Sequence, residues 1–276
     1  MESKRGTLSH VKFSGKASKE ESKPLEGGKL TAGVPLAKLI KRRLSDAPEL
    51  VMLNDPHSVG AEKFRRLKTV LLHDEEGAPQ VIVVTSPAPS EGKSVVAANL
   101  ALSFAADRQG EVLLLDADLR RPTVIQWLNP APKLGLSELL MGLTELEHVL
   151  LELDNSPLKI LPAGTPPKDP VELISTDYTG AVISTLRERF QTIIIDTPPI
   201  VPFTDADAIG RLSDGVLVVA RSGSTRRAAL LQAIESVTAT RVLGTVLNDV
   251  TFSLADRDHY YSAKSYRNYY DRHRKK

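Results

Sequence analysis

Between residues 58 and 249, short apolar runs rich in β-branched residues alternate with longer helix-forming stretches. Apolar runs without polar alternation are typical of strands buried on both faces of a sheet. The predicted strands are Val81–Thr85, Val112–Leu115, Leu158–Leu161, Thr192–Ile195, Gly215–Ala220 and Arg241–Leu247. The predicted helices are Ser94–Ala106, Asp177–Phe190, Asp205–Leu212 and Thr225–Thr238. This alternation predicts an α/β domain with a mainly parallel sheet and helices on both of its faces.

The two ends of the chain depart from this pattern. Residues 1–45 carry eleven Lys/Arg against four Glu, and this composition predicts a disordered basic arm. The composition of this arm is compatible both with a solvated tail and with an arm that binds a partner. Near the end of the arm, Leu36–Leu44 has the composition of a short basic helix. The folded domain is predicted over residues 46–250. Residues 251–276 form a polar, basic tail that nevertheless holds five of the six tyrosines.

Composition excludes several classes of protein. The chain of 276 residues has 36 Lys/Arg and 34 Asp/Glu, a balance that does not hold a protein on nucleic acid by bulk charge. The absence of cysteine excludes a disulfide scaffold and thiolate metal sites. Residues 1–30 lack the apolar core of a secretory signal, and no apolar run approaches the roughly 20 residues that span a bilayer. We therefore expect a soluble, cytoplasmic protein.

The segment after the first predicted strand has the composition of a phosphate-binding loop. It is SPAPSEGKS over residues 86–94, directly before a helix. In such a loop, backbone N–H groups and the helix N-terminus face the phosphates, Lys93 supplies a positive charge and the Ser94 hydroxyl ligates Mg²⁺. Pro87 replaces the usual first glycine, and Ala88 stands where partition and division-site ATPases carry a second lysine. The predicted nucleotide contacts are Ser90, Glu91, Gly92, Lys93, Ser94 and Val95.

Carboxylates follow two later strands. Asp116 and Asp118 come two residues apart in LLLDADLRRP, so an extended chain places both on one side. Asp196 follows three isoleucines in IIIDTPP, the Walker B arrangement. Because the carboxyl ends of parallel strands meet at one sheet edge, these groups are expected near the phosphate loop. The sequence thus predicts a P-loop NTPase-type site with Ser94, Asp118 and Asp196 as metal ligands; for Asp118 alone, pairing with a neighbouring arginine is the alternative.

Together these motifs resemble those of the bacterial tyrosine kinases (BY-kinases), which regulate capsule and exopolysaccharide synthesis. SPAPSEGKS resembles their Walker A motif, LLLDADLRRP their Walker A′ motif and IIIDTPP their Walker B motif. The segment LPAGTPPKDP, residues 161–170, and the VELI that follows resemble a further family segment. Residues 61–69 are similar to the family's E-x-x-R-x-x-R helix, with Lys68 in place of its second arginine. The resemblance covers residues 59–276.

The resemblance implies a protein-tyrosine kinase that uses ATP and Mg²⁺. Lys93 would act in catalysis on the phosphates, and Asp116 would orient the acceptor phenol or take its proton. Asn248, at the end of the last strand, stands where related folds contact the adenine. The family's autophosphorylation cluster, modified in trans within an oligomer, would be Tyr260, Tyr261, Tyr266, Tyr269 and Tyr270.

The resemblance also implies partners. Glu62, Arg65 and Lys68 would contact a neighbouring subunit in a ring, although lysine lacks the bidentate fork of arginine. A separate transmembrane adaptor of the polysaccharide chain-length regulator type would recruit the kinase to the inner face of the membrane, and a cognate tyrosine phosphatase would oppose it. Nucleic acid is not expected as a partner. The alternatives are a partition-ATPase-like nucleotide switch without kinase activity and a tail that binds RNA or membrane.

Overall fold

The computed structural model describes residues 41–44, 47–107, 110–129, 131–153 and 156–250. The predicted arm up to residue 40 and the predicted tail, residues 251–276 with the five tyrosines, lie outside these ranges. Within the described ranges, no helix has both the length and the apolar composition that crossing a bilayer requires.

Nine strands form one sheet across the described part of the chain. They are β1 (Lys41–Leu44), β2 (Val81–Thr85), β3 (Val112–Asp116), β4 (Leu128–Asn129), β5 (Leu151–Leu153), β6 (Leu158–Leu161), β7 (Thr192–Asp196), β8 (Gly215–Arg221) and β9 (Val242–Asn248). Their order is β4-β1-β5-β6-β3-β7-β2-β8-β9. From β6 to β9 all neighbours are parallel, whereas β5 with β6 and β1 with β4 are antiparallel. The prediction of a mainly parallel sheet is confirmed.

Helices cover both faces of this sheet. They are α1 (Val51–Asn54), α2 (Val59–Leu72), α3 (Lys93–Ala105), α4 (Leu136–Leu140), α5 (Leu146–Val149), α6 (Pro170–Ile174), α7 (Asp177–Arg189), α8 (Asp205–Gly210) and α9 (Arg227–Ser236), with a 3₁₀ turn at Val124–Trp127. Alternate residues of β2 point to opposite faces: Val81 and Val83 pack with residues of α4 to α9, and Ile82 and Val84 pack with α2 and α3. This two-sided burial explains why the strand sequences are continuously apolar.

All predicted strands and helices are present, and their ends differ from the predictions by at most two residues. The strands that the pattern did not predict are β1, β4 and β5, which have four, two and three residues and lie together at one side of the sheet. Strands this short carry too few residues for alternation to distinguish them from loops.

The end of the predicted disordered arm is a strand. Lys41–Leu44, expected either in the arm or in a short basic helix, forms β1. Lys41 and Arg42 pair with Glu152 and Leu153 of β5, and Arg43 and Leu44 pair with β4. Ladder hydrogen bonds to two neighbours therefore outweigh the composition of the segment, which contains no feature that predicts a strand.

Candidate functional site

The loop between β2 and α3 has a backbone that depends on glycine. Gly92 is the N-cap of α3 with φ of 90°, in the left-handed region. A Cβ atom at this position would lie 2.0 Å from Nδ2 of Asn248, so any side chain there would displace the Asn248 amide. Ser90 also has a positive φ, 65°. The predicted strand–loop–helix arrangement is present, and the free N–H groups of the first turn of α3 face the loop, as anion binding requires.

Lys93 joins the three predicted elements of the site. Its Nζ lies 2.7 Å from Oδ2 of Asp118 and 3.6 Å from Oδ1 of Asp196, and it donates to the Ser94 hydroxyl at 3.3 Å. Burial alone would lower the pKa of Lys93, but the negative charges of Asp196 and Asp118 offset it and raise that pKa. The ammonium is therefore held in its charged form between the ends of β3 and β7.

Asp116 and Asp118 differ in their surroundings. Asp116 is completely buried and accepts hydrogen bonds from the backbone N–H groups of Asp118 and Val124, both at 3.1 Å. Burial, and then the charges of Asp196 and Asp118, raise the pKa of Asp116 well above its usual value. Asp118 accepts from Lys93 and from the backbone N–H of Arg121 at 2.9 Å. Asp118 thus pairs with the loop lysine, not with a neighbouring arginine side chain.

Asp196 is a buried carboxylate whose two oxygens accept no hydrogen bond from the described residues. Burial raises the pKa of Asp196 to about 6, even though Lys93 and Ser94 nearby favour its charged form. Burying a carboxylate without hydrogen bonds is costly, and a bound cation would offset that cost beyond what Lys93 at 3.6 Å supplies. Together with Asp118 and the Ser94 hydroxyl it supplies hard oxygen donors of the type that Mg²⁺ prefers.

The charge balance of the site also fits a divalent cation. The carboxylates of Asp116, Asp118 and Asp196 face one ammonium, which leaves the group negative when all are ionised. Within the described ranges, no three His, Cys, Asp or Glu side chains form a metal cage on their own. Mg²⁺ does not need one, because it keeps several waters and takes its other ligands from one or two carboxylates and from substrate phosphates. The residues present fit this ion.

An ion pair that the sequence analysis missed holds the loop after β3. The guanidinium of Arg120 donates to both carboxylate oxygens of Asp205 at 3.1 to 3.3 Å, and its central carbon lies 4.3 Å from the centre of the Phe203 ring. Asp205 is completely buried at the start of α8. The pair therefore connects the loop that carries Asp118 to the segment that follows Asp196. An acidic residue in the first turn of a helix is too common for the sequence to reveal this pairing.

A second set of contacts holds the phosphate loop from β8 and β9. Glu91 is buried, and its carboxylate accepts from the backbone N–H of Ala88 at 3.0 Å and from the hydroxyl of Thr225. The Asn248 amide donates to the Glu91 carbonyl at 3.1 Å, and the Arg221 guanidinium donates to the Ser90 carbonyl at 3.4 Å. The Glu91 carboxylate therefore joins the phosphate loop to the segment that follows β8. Thr225 and Arg221 were not among the predicted site residues.

The segment that follows β6 is held by another buried carboxylate. Glu138 accepts from the backbone N–H groups of Gly135 at 2.8 Å and Thr165 at 3.0 Å, and from the Ser137 hydroxyl. Burial alone would raise the pKa of Glu138, but these hydrogen bonds lower it. A Cβ atom at Gly164 would lie 2.1 Å from the same carboxylate. The Glu138 carboxylate therefore leaves no room for a side chain at Gly164, and it holds the backbone of the segment LPAGTPPKDP in place at Thr165.

The three predicted subunit-contact residues on α2 have different positions. Glu62 and Arg65 form an ion pair at 3.0 Å and remain partly exposed. Lys68 is buried, and its ammonium donates to Asp107 at 2.6 Å and to the Ser103 carbonyl at 3.3 Å. The Lys68 side chain therefore turns inward and joins α2 to the end of α3, while the contact of α2 with a neighbouring subunit stays a prediction.

Comparison with known proteins gives a consistent result. No family model matches the chain. The tyrosine-protein kinase YwqD of Bacillus subtilis (strain 168) is 31% identical over 219 residues, which cover 78% of this chain and 92% of that protein. The crystal structure of the chimerical protein CapA2B2 is 31% identical and covers 77% of this chain and 95% of its own, with a TM-score of 0.71.

A longer relative matches through a part of its length. The succinoglycan biosynthesis transport protein ExoP of Rhizobium meliloti (strain 1021) is 32% identical over 230 residues, which are 81% of this chain but 29% of that protein. This chain therefore spans nearly all of the Bacillus protein and less than a third of the Rhizobium protein.

Removing the Lys93 charge should weaken nucleotide binding at this loop. We expect Lys93→Met to weaken ADP binding at least about tenfold, because a charge-assisted contact to phosphate is lost. Calorimetric titration with ADP and Mg²⁺ measures the affinity, and circular dichroism checks that the fold is kept. Lys168→Met serves as control, since Lys168 is exposed in the loop after β6. Equal ADP affinities of the two variants would contradict the assignment of the loop.

Removing Arg120 should destabilise the domain far more than removing its neighbour. Arg120→Gln leaves the buried carboxylate of Asp205 without its partner, and we expect a loss of about 2 kcal/mol in the free energy of unfolding, since Arg120 itself is partly exposed. Arg121→Gln makes the same change at an exposed side chain and should alter the free energy of unfolding by less than about 0.5 kcal/mol. Urea unfolding followed by circular dichroism compares them. Equal stabilities would show that the ion pair does not hold the loop.

Proposed function

The chain belongs to the bacterial tyrosine kinase (BY-kinase) family, and we propose that it phosphorylates the tyrosine cluster of its own C-terminal tail. It is a protein-tyrosine kinase with a P-loop nucleotide site. The observation that carries the proposal is the convergence of Lys93, Asp118 and Asp196 at the phosphate loop. Phosphoryl transfer needs chiefly positioning and charge neutralisation, and these groups supply both.

Most residues of the site bind ATP and Mg²⁺. Lys93 contacts the β- and γ-phosphates, and the N–H groups of the loop and of the first turn of α3 bind phosphate oxygens. Ser94, Asp118 and Asp196 hold Mg²⁺, directly or through water. When bound, the ion neutralises charge that develops on the phosphates. The buried Asp196 carboxylate without hydrogen-bond partners supports this assignment. Asn248, which lies against the loop, contacts the adenine.

Asp116 acts on the acceptor tyrosine. A phenol has a pKa of about 10 and needs a base to remove its proton at neutral pH. Burial and the neighbouring carboxylates raise the pKa of Asp116, which makes its carboxylate a stronger proton acceptor. The phenol proton passes to a carboxylate oxygen of Asp116 while the phenol oxygen bonds to the γ-phosphorus. The bond between that phosphorus and the oxygen that bridges it to the β-phosphate breaks, and ADP leaves.

The acceptors are Tyr260, Tyr261, Tyr266, Tyr269 and Tyr270, modified in trans within a ring oligomer. About ten residues separate Asp249 from Tyr260, which extend to roughly 30 Å at most and allow the tail to reach a neighbouring subunit. In the ring contact, Glu62 and Arg65 of α2 take part without Lys68. Their partial exposure supports this role.

The kinase works with membrane partners in exopolysaccharide or capsule synthesis or export. A separate transmembrane adaptor of the chain-length regulator type recruits it from the cytoplasm to the inner face of the membrane, and a cognate phosphatase reverses its modification. The similarity to a succinoglycan biosynthesis transport protein supports this setting. Nucleic acid has no part in it.

Intact mass after incubation with ATP and Mg²⁺ tests the activity. The wild-type chain should gain the mass of up to five phosphoryl groups, removable by a tyrosine phosphatase, because five tyrosines lie in the tail. Replacing all five by phenylalanine should abolish the gain. ATP hydrolysis without any gain of mass by the wild type would favour a nucleotide switch of the partition-ATPase type and refute the proposal.

A mixing experiment tests modification in trans. One chain carries Lys93→Met and keeps its tyrosines, so it is only an acceptor; the other has an intact site and phenylalanine at all five tail positions, so it is only an enzyme. Neither alone should gain phosphoryl groups. In the mixture the Lys93→Met chain should become phosphorylated, which intact mass resolves because the two chains differ in mass. An unmodified mixture beside an active wild type would show that transfer occurs within one chain.

A further inference from the structure

Two strained backbone positions lie on either side of one arginine. Among the described residues, Ser90 and Asp249 are the non-glycine residues with positive φ, at 65° and 54°. This conformation is unfavourable for residues other than glycine and persists where the surroundings hold it. Ser90 belongs to the phosphate loop. Asp249 directly follows β9. Residues 248–250, which lead into the tail, are called the tail root below.

Arg221, the last residue of β8, contacts both positions. Its Nη1 donates to the Ser90 carbonyl at 3.4 Å. Its Nε and Nη2 donate to one carboxylate oxygen of Asp249 at 2.9 and 2.7 Å. A single guanidinium therefore connects the carbonyl of a strained loop residue to the side chain of the strained residue in the tail root.

Further contacts connect the same two segments. The backbone N–H of Arg221 donates to the Thr225 hydroxyl at 2.7 Å, and that hydroxyl donates to the buried Glu91 carboxylate. Asn248, in the tail root, donates to the Glu91 carbonyl at 3.1 Å and lies against Gly92. The tail root thus contacts the phosphate loop at Glu91 and Gly92.

We propose that Arg221 is a positioning residue that couples nucleotide binding at the phosphate loop to the position of the tail root. In the loop conformation that the structure shows, which we take as the one that binds phosphate, Ser90 and Gly92 have positive φ and the Ser90 carbonyl reaches Arg221. Nucleotide therefore favours the Arg221–Asp249 pair. By thermodynamic reciprocity, an intact pair must also increase nucleotide affinity.

The coupling matters for the reaction because the tail begins at this root. When the start of the tail is held in one position, the residues farther along it stay within a limited distance, and their effective concentration near the site rises. When the start of the tail moves freely, this effective concentration falls. Arg221 would thus favour presentation of the tail when nucleotide is bound. This last step rests on the proposed function, in which the tail carries the acceptor tyrosines.

The competing interpretation is an ordinary surface ion pair. The side chains of Arg221 and Asp249 are 46% and 53% exposed, and such pairs contribute little to stability. A surface pair of that kind has no effect on nucleotide affinity when Asp249 is changed, since among the described residues the Asp249 carboxylate hydrogen-bonds to Arg221 and not to the loop itself. Nucleotide affinity therefore separates the two interpretations.

The test compares ADP affinity in the full chain, measured by calorimetric titration with Mg²⁺, for Arg221→Gln, Asp249→Asn and the double variant. Asparagine removes the charge and still accepts the left-handed conformation. We expect Arg221→Gln to weaken ADP binding about fourfold and Asp249→Asn about twofold, with the double variant no weaker than Arg221→Gln. Arg226→Gln, at an exposed arginine between β8 and α9, should leave the affinity unchanged.

Two results would overturn the proposal: wild-type ADP affinity in Asp249→Asn, or effects of the two changes that multiply in the double variant.

A second measurement compares phosphorylation of the tail with that of a synthetic peptide of residues 257–276 at saturating ATP. Arg221→Gln should slow the first and spare the second; equal slowing of both would refute tail positioning. A wild-type chain that never modifies its tail would refute the proposed function, while the ADP affinities would still decide the coupling.

Discussion

The functional site depends on one buried ammonium placed between carboxylates at the edge of the sheet. Lys93 is attached to the first turn of α3, yet its Nζ contacts Asp118 after β3 and lies near Asp196 at the end of β7. Three acidic groups at this edge would repel one another without it. The same ammonium that offsets their charge is available to a phosphate, and a divalent cation can then take its place among the carboxylates. Under the proposed function, this site would take up Mg²⁺ and nucleotide together.

The sheet order makes this arrangement possible. The central strands follow the order β3-β7-β2, so the three segments that leave their carboxyl ends are neighbours in space although they are far apart in sequence. Asp116 and Asp196 occupy paired positions of adjacent strands. Contacts outside this centre, such as Arg120 with Asp205 and Glu91 with Thr225, then fix the loops that carry the reactive groups. The strands provide proximity and the loop contacts provide orientation.

Sequence patterns predicted the parts of the molecule that obey strong local rules. The apolar strands, the glycine-dependent loop and the carboxylates after β3 and β7 each have a local signature, and the parallel topology then brings them together. The pattern could not predict β1, which exists because β4 and β5 pair with it. Nor could it predict the inward position of Lys68, which depends on Asp107, far away in sequence. Tertiary pairing of common charged residues leaves no local signal.

Gly92 is restricted by two independent causes, and this limits how the sequence can change over evolution. One cause is steric, since the Asn248 amide occupies the space of a side chain. The other is conformational, because a φ of 90° disfavours every residue with a Cβ. Shortening residue 248 would open the space but would leave the backbone restriction in place. Compensating substitutions at the neighbour therefore cannot release this position, whereas residue 248 itself can vary without any change at Gly92.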